Sequence, residues 1–275
     1  MEVSFAAIDQ NNVSHSKFMT YSYETDSYYY ARLAFYFEIV QEAAGLHAAC
    51  RGCSIPEMHK EGKTWVITRS QIHIDRYTRW PETISIETWA QKPLRLHLPR
   101  VIRGVDEKKE PVFTATTFWA VLDIEHNGRP CRPGVISERI GQPPEELEQY
   151  NLDVDLKRRP TYEESGCTTL SVYKPTIQYL DSDSNQHINN ISYLNWAMES
   201  LPDAFRNRVK VSDIDVSWIR QTFAGDTITV YTGSLDAEAF QSETPVLFHK
   251  IVRTEKDLSK TTVWEGMTTW QKRPE

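Results

Sequence analysis

The 275-residue chain is long enough for one large domain or two of average size. Its 40% hydrophobic and 25% charged residues are typical of a folded protein rather than a disordered one. The net charge of −7 argues against general binding to nucleic acid or to an anionic membrane surface.

The hydropathy pattern and the amino-terminal residues predict a cytoplasmic protein. No apolar run approaches the ~18 residues that span a bilayer, so no membrane insertion is expected. Residues 1–17 lack the basic segment and apolar core of a secretory signal. Cys50 and Cys53 form a CxxC pair, but no second tight pair or histidine pair accompanies it. We therefore expect reduced thiols and no metal site.

The first half of the chain predicts one helix followed by strands. Residues 21–32 (YSYETDSYYYAR) are interpreted as a strand that leads into the helix, with Asp26 or Ser27 as its cap. Residues 31–49 carry apolar side chains at helical spacing, which predicts a largely buried helix. Alternating strand patterns follow at residues 65–75, 83–90, 98–105 and 113–125, and an Asn-Gly turn at 127–128.

The second half repeats this order of elements. Residues 187–201 predict a helix, and strand patterns follow at 211–221, 226–235, 246–255 and 261–271. Residues 76–86 (RYTRWPETISI) align without gaps to residues 220–230 (RQTFAGDTITV). Such internal similarity indicates a duplicated unit. A helix followed by antiparallel strands, present twice, predicts an α+β fold with a helix laid across each sheet.

Residues 181–196 (DSDSNQHINNISYLNW) hold more polar side chains than one helix start requires. In an extended segment Asp183, Asn185 and His187 would face one side. A carboxylate, an amide and an imidazole can hold a water molecule or polarise a carbonyl group, and helix amides could add donors. The competing interpretation, which stays open, is a heavily capped helix start with an ordinary histidine.

Two segments resemble a known family. Residues 183–202 (DSNQHINNISYLNWAMESLP) resemble the signature of the acyl-acyl carrier protein (acyl-ACP) thioesterases, bacterial type. Residues 64–89 resemble the first domain of the same family, and the likeness extends over roughly residues 15–272.

The resemblance implies two tandem hotdog domains, each a long central helix wrapped by a curved antiparallel β-sheet. The acyl chain would bind in the N-terminal domain, 1–140, and hydrolysis would occur in the C-terminal domain, 169–275, with a linker at 141–168. The implied reaction releases a free fatty acid from the phosphopantetheine of acyl carrier protein and so ends chain elongation. No cofactor is implied, and a homodimer stays open.

The resemblance also assigns catalytic residues. Asp183, Asn185 and His187 match the family's catalytic aspartate, asparagine and histidine, whereas Gln221 and Thr222 stand where the family commonly has glutamate and cysteine. A glutamine carbonyl can orient a water molecule but cannot remove its proton. We therefore assign the base to Asp183 and a positioning role to Gln221. The Tyr-rich segment 21–32 lacks the histidine and asparagine, so the first copy is expected to be catalytically silent.

Candidate substrate-binding residues lie in both halves. An acyl pocket in the first domain would be lined by large apolar side chains, although for any single residue ordinary core packing is the favoured interpretation. The candidates are Phe35, Ile39, Trp65, Trp119, Asn189 and Asn190. An acidic carrier protein also requires a basic docking surface. The candidates for that surface are residues 157–159, Lys92 with Arg95, and Arg206 with Arg208 and Lys210, all of which could equally be solvated surface.

Three other functions remain in view. An acyl-CoA thioesterase would perform the same chemistry on a smaller carrier. Gln221 also allows an acyl-binding protein without hydrolytic activity. A hotdog dehydratase uses a histidine and a carboxylate as well, but the Asn189-Asn190 pair and the following Tyr193 and Trp196 argue against it.

Overall fold

The structure is a computed structural model that describes residues 6–126, 128–150, 154–155, 157–183 and 185–274. The chain divides into two compact units, residues 1–156 and 157–275. Asn127 of the expected Asn-Gly turn lies outside the described residues. Among those residues, no helix has the length and apolar character needed to cross a membrane.

The first unit is an antiparallel sheet with one long helix and two short ones. Its helices are α1 (Leu33–Cys50), α2 (Ile55–Lys60) and α3 (Gly134–Ile140). Its strands are β1 (Ala7–Ile8), β2 (Ser14–Met19), β3 (Lys63–Ile74), β4 (Thr83–Ala90), β5 (His97–Val105), β6 (Pro111–Asp123) and β7 (Arg129–Cys131). The order across the sheet is β1-β2-β4-β5-β6-β3, and β7 pairs with β6.

Helix α1 forms because apolar residues recur along it at i, i+3 and i+4, which covers most of its surface with core contacts. Tyr36 is fully buried, and its ring meets those of Tyr77 and Phe113 edge-on at centroid distances of 5.3 and 5.7 Å. The predicted burial of this helix is confirmed: Leu33, Phe35, Phe37, Val40 and Ala44 are all buried.

Trp89 anchors a second part of this core. Its side chain is 0% exposed and packs with Val13 and Val101. The indole Nε1 donates a hydrogen bond of 3.0 Å to the carbonyl oxygen of Tyr150, and the two rings meet edge-on at 5.1 Å. Gln91 Nε2 donates to the same oxygen at 2.7 Å, so Trp89 and Gln91 together hold a segment that is distant in sequence against the sheet.

The second unit also combines an antiparallel sheet with helices, but among the described residues it has fewer strands and its longest helix is shorter than α1. Its strands are β8 (Thr168–Tyr173), β9 (Val209–Trp218), β10 (Thr227–Ser234), β11 (Val246–Thr254) and β12 (Lys260–Lys272), in the order β9-β12-β11-β10-β8. Its helices are α4 (Asn190–Glu199) and α5 (Asp203–Arg208). All of the strand pairs within this sheet are antiparallel. The chain is thus α+β, as predicted.

The interpretation of residues 21–32 as a strand is wrong. Residues 21–32 do not form a strand: Ser22–Glu24 is a short 3-10 helix, and a turn follows it. The cap of α1 is Arg32, whose side chain makes no capping hydrogen bond, rather than Asp26 or Ser27. The reason is that the Asp26 carboxylate accepts hydrogen bonds from the backbone N–H groups of Tyr28 and Tyr30 inside the turn.

His249 lies at the centre of a polar chain inside the second unit. Its ring is 0% exposed, and its two nitrogens lie 2.9 Å from the hydroxyl oxygens of Thr232 and Thr268. Ser200 extends this chain beyond Thr232, at 2.8 Å between hydroxyl oxygens. Burial lowers the pKa of His249 to about 3, so the ring is neutral in the folded protein at neutral pH.

We expect His249 to make the protein acid-labile. Between pH 6.5 and about 3 the unfolded chain binds a proton that the folded chain excludes. As the pH drops through this window, the free energy of unfolding therefore falls by up to about 1.4 kcal/mol per pH unit. Above the window His249 makes no such contribution. Urea unfolding at a series of pH values measures this dependence. The plot of unfolding free energy against pH should be shallower for His249→Gln than for the wild type by about 1.4 kcal/mol per pH unit, whatever stability the substitution costs at pH 7.

Two other histidines make this comparison specific. His47 is also buried, with a pKa lowered to about 3, and it contributes equally to both proteins. His59 is exposed, with a ring nitrogen 3.2 Å from the Thr64 hydroxyl oxygen, so His59→Gln should leave the pH dependence of the wild-type free energy of unfolding unchanged. Parallel pH profiles for the wild type and His249→Gln would contradict the prediction.

Candidate active site

The described polar residues before α4 form a tight turn, which we call the Asp183 turn (Asp183, Asn185, Gln186 and His187); Ser184 lies outside the described residues. Asp183 Oδ1 accepts hydrogen bonds from the backbone N–H groups of Asn185 (2.8 Å) and His187 (3.2 Å). The Asp183 N–H donates to the carbonyl oxygen of His187 at 2.8 Å. Gln186, at the tip, has a φ of 61°. One carboxylate oxygen and one reciprocal backbone bond thus close the turn.

This geometry corrects the assumption of an extended segment. Asp183, Asn185 and His187 are neighbours around a turn and do not alternate along a strand. The extended form does not persist because the aspartate oxygen offers the nearby amides a local acceptor. Asn185 is exposed, whereas Asp183 and His187 are half-buried.

The surplus of candidate caps has a structural explanation: successive turns each use one. Asp181 accepts the N–H of Gln178 at the start of a 3-10 helix (Tyr179–Asp181), at 2.7 Å. Asp183 closes the next turn, and Asn189 caps α4 by accepting the N–H of Ile191 at 2.9 Å. The early helix amides of Ile191 and Ser192 are engaged by Asn189, so they are not donors for a bound oxyanion.

The loop after β9 fixes the orientation of His187. The N–H of Ile188 donates to the carbonyl oxygen of Thr222 at 3.0 Å, which joins this loop to the turn. The ring of Phe223 meets the ring of His187 edge-on, with centroids 5.1 Å apart. Sequence reasoning missed Phe223, although the internal alignment places it opposite Arg79 of the first half.

Gln221 lies in the same loop, beside Thr222. It follows the end of β9 at Trp218, and its side chain is exposed. Its carbonyl oxygen accepts a hydrogen bond of 2.7 Å from Arg253, which anchors the backbone at this point. The structure therefore brings Asp183, Asn185, His187 and Gln221 into one region through the Ile188–Thr222 hydrogen bond.

The candidate substrate-binding residues fall into different settings. Phe35 and Ile39 are buried on α1. Trp65 is partly buried, and its Nε1 donates to the Cys53 carbonyl oxygen at 2.9 Å. Trp119 donates to the Thr117 hydroxyl, also at 2.9 Å, and the β3–β6 register puts it on the same face as Trp65. At the other end of the chain, Asn189 is the helix cap, and the Asn190 carbonyl oxygen accepts from Trp218 Nε1 at 3.3 Å.

The basic docking candidates mostly have partners within the protein. Arg158 pairs with Glu164 at 2.6 Å, and Arg159 pairs at 3.1 Å with Asp215, whose side chain is 8% exposed. Lys92 pairs with Glu145, and Arg206 pairs with Glu199 and Asp203. Arg208 donates to the carbonyl oxygens of Phe240 and Gln241. Lys210 is buried, and Arg95 is exposed. Because Arg159 also neutralises a buried carboxylate, Arg158 is the better position to test.

Two profiles of one family match the chain. The profile described as the acyl-ACP thioesterase N-terminal domain matches residues 11–133. The profile described as the acyl-ACP thioesterase C-terminal domain matches residues 165–272. Both halves of the chain are therefore covered, in the family's order.

Curated relatives include two Arabidopsis thaliana proteins. The chain is 25% identical to palmitoyl-acyl carrier protein thioesterase over 230 residues, 76% of this chain and 52% of that protein. It is also 25% identical to oleoyl-acyl carrier protein thioesterase 1, over 99% of this chain and 80% of that protein. Both relatives are described as chloroplastic. The chain spans about half the length of the first curated relatives it matches.

Solved structures share the fold. An acyl-ACP thioesterase from Bacteroides thetaiotaomicron superposes with a TM-score of 0.77 at 19% identity, covering 95% of this chain and 99% of that one. The 12:0-ACP thioesterase from Umbellularia californica gives 0.76 at 19% identity, covering 95% and 98%. The α+β arrangement of this chain is therefore one that solved thioesterase structures also adopt.

Proposed function

The chain belongs to the acyl-ACP thioesterase family, and on that premise we propose that it hydrolyses the thioester between a fatty acyl chain and acyl carrier protein. The observation that carries the proposal is the Asp183 turn. It gathers a carboxylate, an amide and an imidazole beside the loop that holds Gln221. The product would be a free fatty acid, whose release ends chain elongation.

The reaction needs only water as a second substrate. A water oxygen attacks the thioester carbonyl carbon while a base takes one water proton, and the tetrahedral intermediate then expels the thiolate. The thiolate receives the proton from the protonated base, so the products are a carboxylic acid and the thiol of phosphopantetheine. The Asp183 carboxylate and the His187 imidazole are the groups of the turn that can act as this base.

We further propose the finer organisation that the family implies. Each unit would be a hotdog domain, with α1 and α4 as the central helices wrapped by their sheets. The first domain would bind the acyl chain, with Phe35, Ile39, Trp65 and Trp119 at its pocket. The second domain would be catalytic, with Asn189 and Asn190 near the substrate. The large buried apolar surface of α1 supports the first assignment, and the Asp183 turn supports the second. We also propose a cytoplasmic location.

A direct assay tests the proposed reaction. Purified protein is mixed with matched acyl-ACP and acyl-CoA substrates, and the released thiol is measured with a thiol-reactive dye. We expect a higher kcat/KM on acyl-ACP. The reverse preference would indicate an acyl-CoA thioesterase. Retention of the fatty acyl ligand without thiol release would indicate a binding protein.

We expect Arg158→Glu to weaken the use of the carrier-protein substrate. Arg158 is exposed and basic, whereas carrier proteins are acidic. Losing such a surface contact is worth about 1 kcal/mol, or about a fivefold rise in KM for acyl-ACP. KM for acyl-CoA should not change, and Lys256→Glu, an equal charge change at another exposed position, is the control. If neither the KM for acyl-ACP nor the KM for acyl-CoA changes in Arg158→Glu, Arg158 is not part of the docking surface.

A further inference from the structure

The Asp183 turn has a structural counterpart in the first unit, formed by residues 26–30, which we call the Asp26 turn. Asp26 Oδ1 accepts hydrogen bonds from the backbone N–H groups of Tyr28 (2.9 Å) and Tyr30 (3.2 Å). The Asp26 N–H donates to the Tyr30 carbonyl oxygen at 2.8 Å. Tyr29, at the tip, has a φ of 63°. Every bond and the positive φ of the Asp183 turn thus recur here.

The segments around the two turns also correspond. In the first unit the N–H of Ala31 donates to the carbonyl oxygen of Thr78 at 2.9 Å, and in the second the N–H of Ile188 donates to Thr222 at 3.0 Å. Both turns are followed by the residue that caps a helix, Arg32 or Asn189. The backbone of the duplicated unit is therefore conserved between the halves across the whole entry to the helix.

The side chains that could perform chemistry are absent from the first copy. Tyr28 replaces Asn185, and Tyr30 replaces His187. The ring of Tyr30 lies beneath the guanidinium of Arg79, where the second copy places Phe223 against His187. Tyr77, which replaces Gln221, is 4% exposed and packs on Tyr36. The first copy nevertheless keeps its aspartate, with the same hydrogen bonds.

From this recurrence we infer that Asp183 is a positioning residue that holds the turn, and that His187 is the base that takes the proton from the attacking water. The first unit keeps Asp26 although it has no histidine, asparagine or glutamine at the matching positions. We infer that this aspartate serves the backbone. Asp183 Oδ1 makes the same two bonds, which occupy both of its lone pairs. Imidazole is the side chain that ordinarily gains and returns a proton between pH 5 and 8. This inference rests on the proposed hydrolysis and assigns roles within it.

Two substitutions at residue 183 separate holding from proton transfer. Asparagine keeps an Oδ1 acceptor for both amides but replaces the second carboxylate oxygen with an NH2 group, which cannot accept a proton. Alanine removes both functions. We expect Asp183→Asn to keep kcat/KM on acyl-ACP within about tenfold of wild type, with an unchanged pH profile. We expect Asp183→Ala to lose about 100-fold, because a displaced histidine reacts poorly.

The Asp26 turn supplies the matched control. Asp26→Ala and Asp26→Asn report, by thermal unfolding, the cost of opening the same turn where no histidine is present. We expect Asp26→Ala and Asp183→Ala to lower Tm, and both asparagine variants to stay near the wild type. An unfolded Asp183→Asn protein would overturn the inference, since asparagine should satisfy the turn.

The decisive result is the activity of a folded Asp183→Asn. A loss of more than about tenfold, approaching that of Asp183→Ala, would show that the carboxylate itself moves the proton. That result would overturn this inference but leave the proposed hydrolysis standing. A wild-type protein that releases no thiol would instead remove the proposed function, so the two failures are distinguishable.

Discussion

Replacing His187 with alanine is expected to lower kcat for acyl-ACP hydrolysis by about 100- to 10,000-fold, the range for loss of a general base. The ring is half-buried in the Asp183 turn, and Phe223 fixes its orientation from the neighbouring loop. No described side chain of this turn replaces its capacity to accept and then return a proton, if Asp183 only holds the backbone. KM should change little, because the imidazole acts on the water rather than on the acyl chain.

Single-turnover and steady-state thiol release would measure this loss. His126→Ala, which removes an exposed histidine of the first unit, should match the wild type. The backbone of the turn should survive in His187→Ala, since Asp183 bonds to the N–H of residue 187 and not to its ring. A variant with a wild-type Tm and more than a tenth of the wild-type kcat would disprove the role of His187.

Replacing Trp89 with alanine is expected to lower the free energy of unfolding by about 3–5 kcal/mol, the largest loss of stability among the substitutions that we propose. The side chain is 0% exposed, so its removal leaves a cavity between Val13 and Val101. The substitution also removes one of the two donors to the Tyr150 carbonyl oxygen, leaving the 2.7 Å hydrogen bond from Gln91 Nε2, and it removes the edge-on ring contact. The segment around Tyr150 should then detach from the sheet more readily.

Urea unfolding followed by far-UV circular dichroism is the suitable measurement, since removing a tryptophan changes fluorescence directly. Trp89→Phe keeps much of the volume but not the Nε1 donor, so it should cost roughly 1–3 kcal/mol. Val135→Ala, which truncates an apolar side chain that is 69% exposed, should stay within about 0.5 kcal/mol of wild type. If Trp89→Ala and Val135→Ala cost the same, the packing described for Trp89 is wrong.

Eight strands were predictable because one buried face imposes alternation on the sequence, whereas β1, β2, β7 and β8 were not predicted. β4 has the predicted bounds, residues 83–90, and its buried Ile84 and Ile86 alternate with less buried neighbours. Helix α4 begins three residues later than the predicted 187, because Asn189 takes the cap position. The bond between Trp89 and Tyr150 was not predictable, since no pattern links residues 61 apart in the chain.

The candidate site was predictable in its residues but not in its conformation. An aspartate followed by alternating polar residues is compatible with both an extended segment and a turn. A glutamine at position 186 does not indicate the positive φ that the structure has there. The contact of Phe223 with His187 was equally hidden, because the aligned residue of the first half is Arg79. The same alignment, read with the hydrogen bonds, revealed the recurrence of the turn.

The recurrence of the turn separates two demands on one position. In both halves the backbone needs an acceptor for two amides, whereas only the second half also carries the histidine and the asparagine. Loss of Asp26 would still open the loop ahead of α1, although that loop holds no histidine. An acidic residue present in both halves therefore reports a requirement of folding, and its recurrence alone does not identify the reacting group.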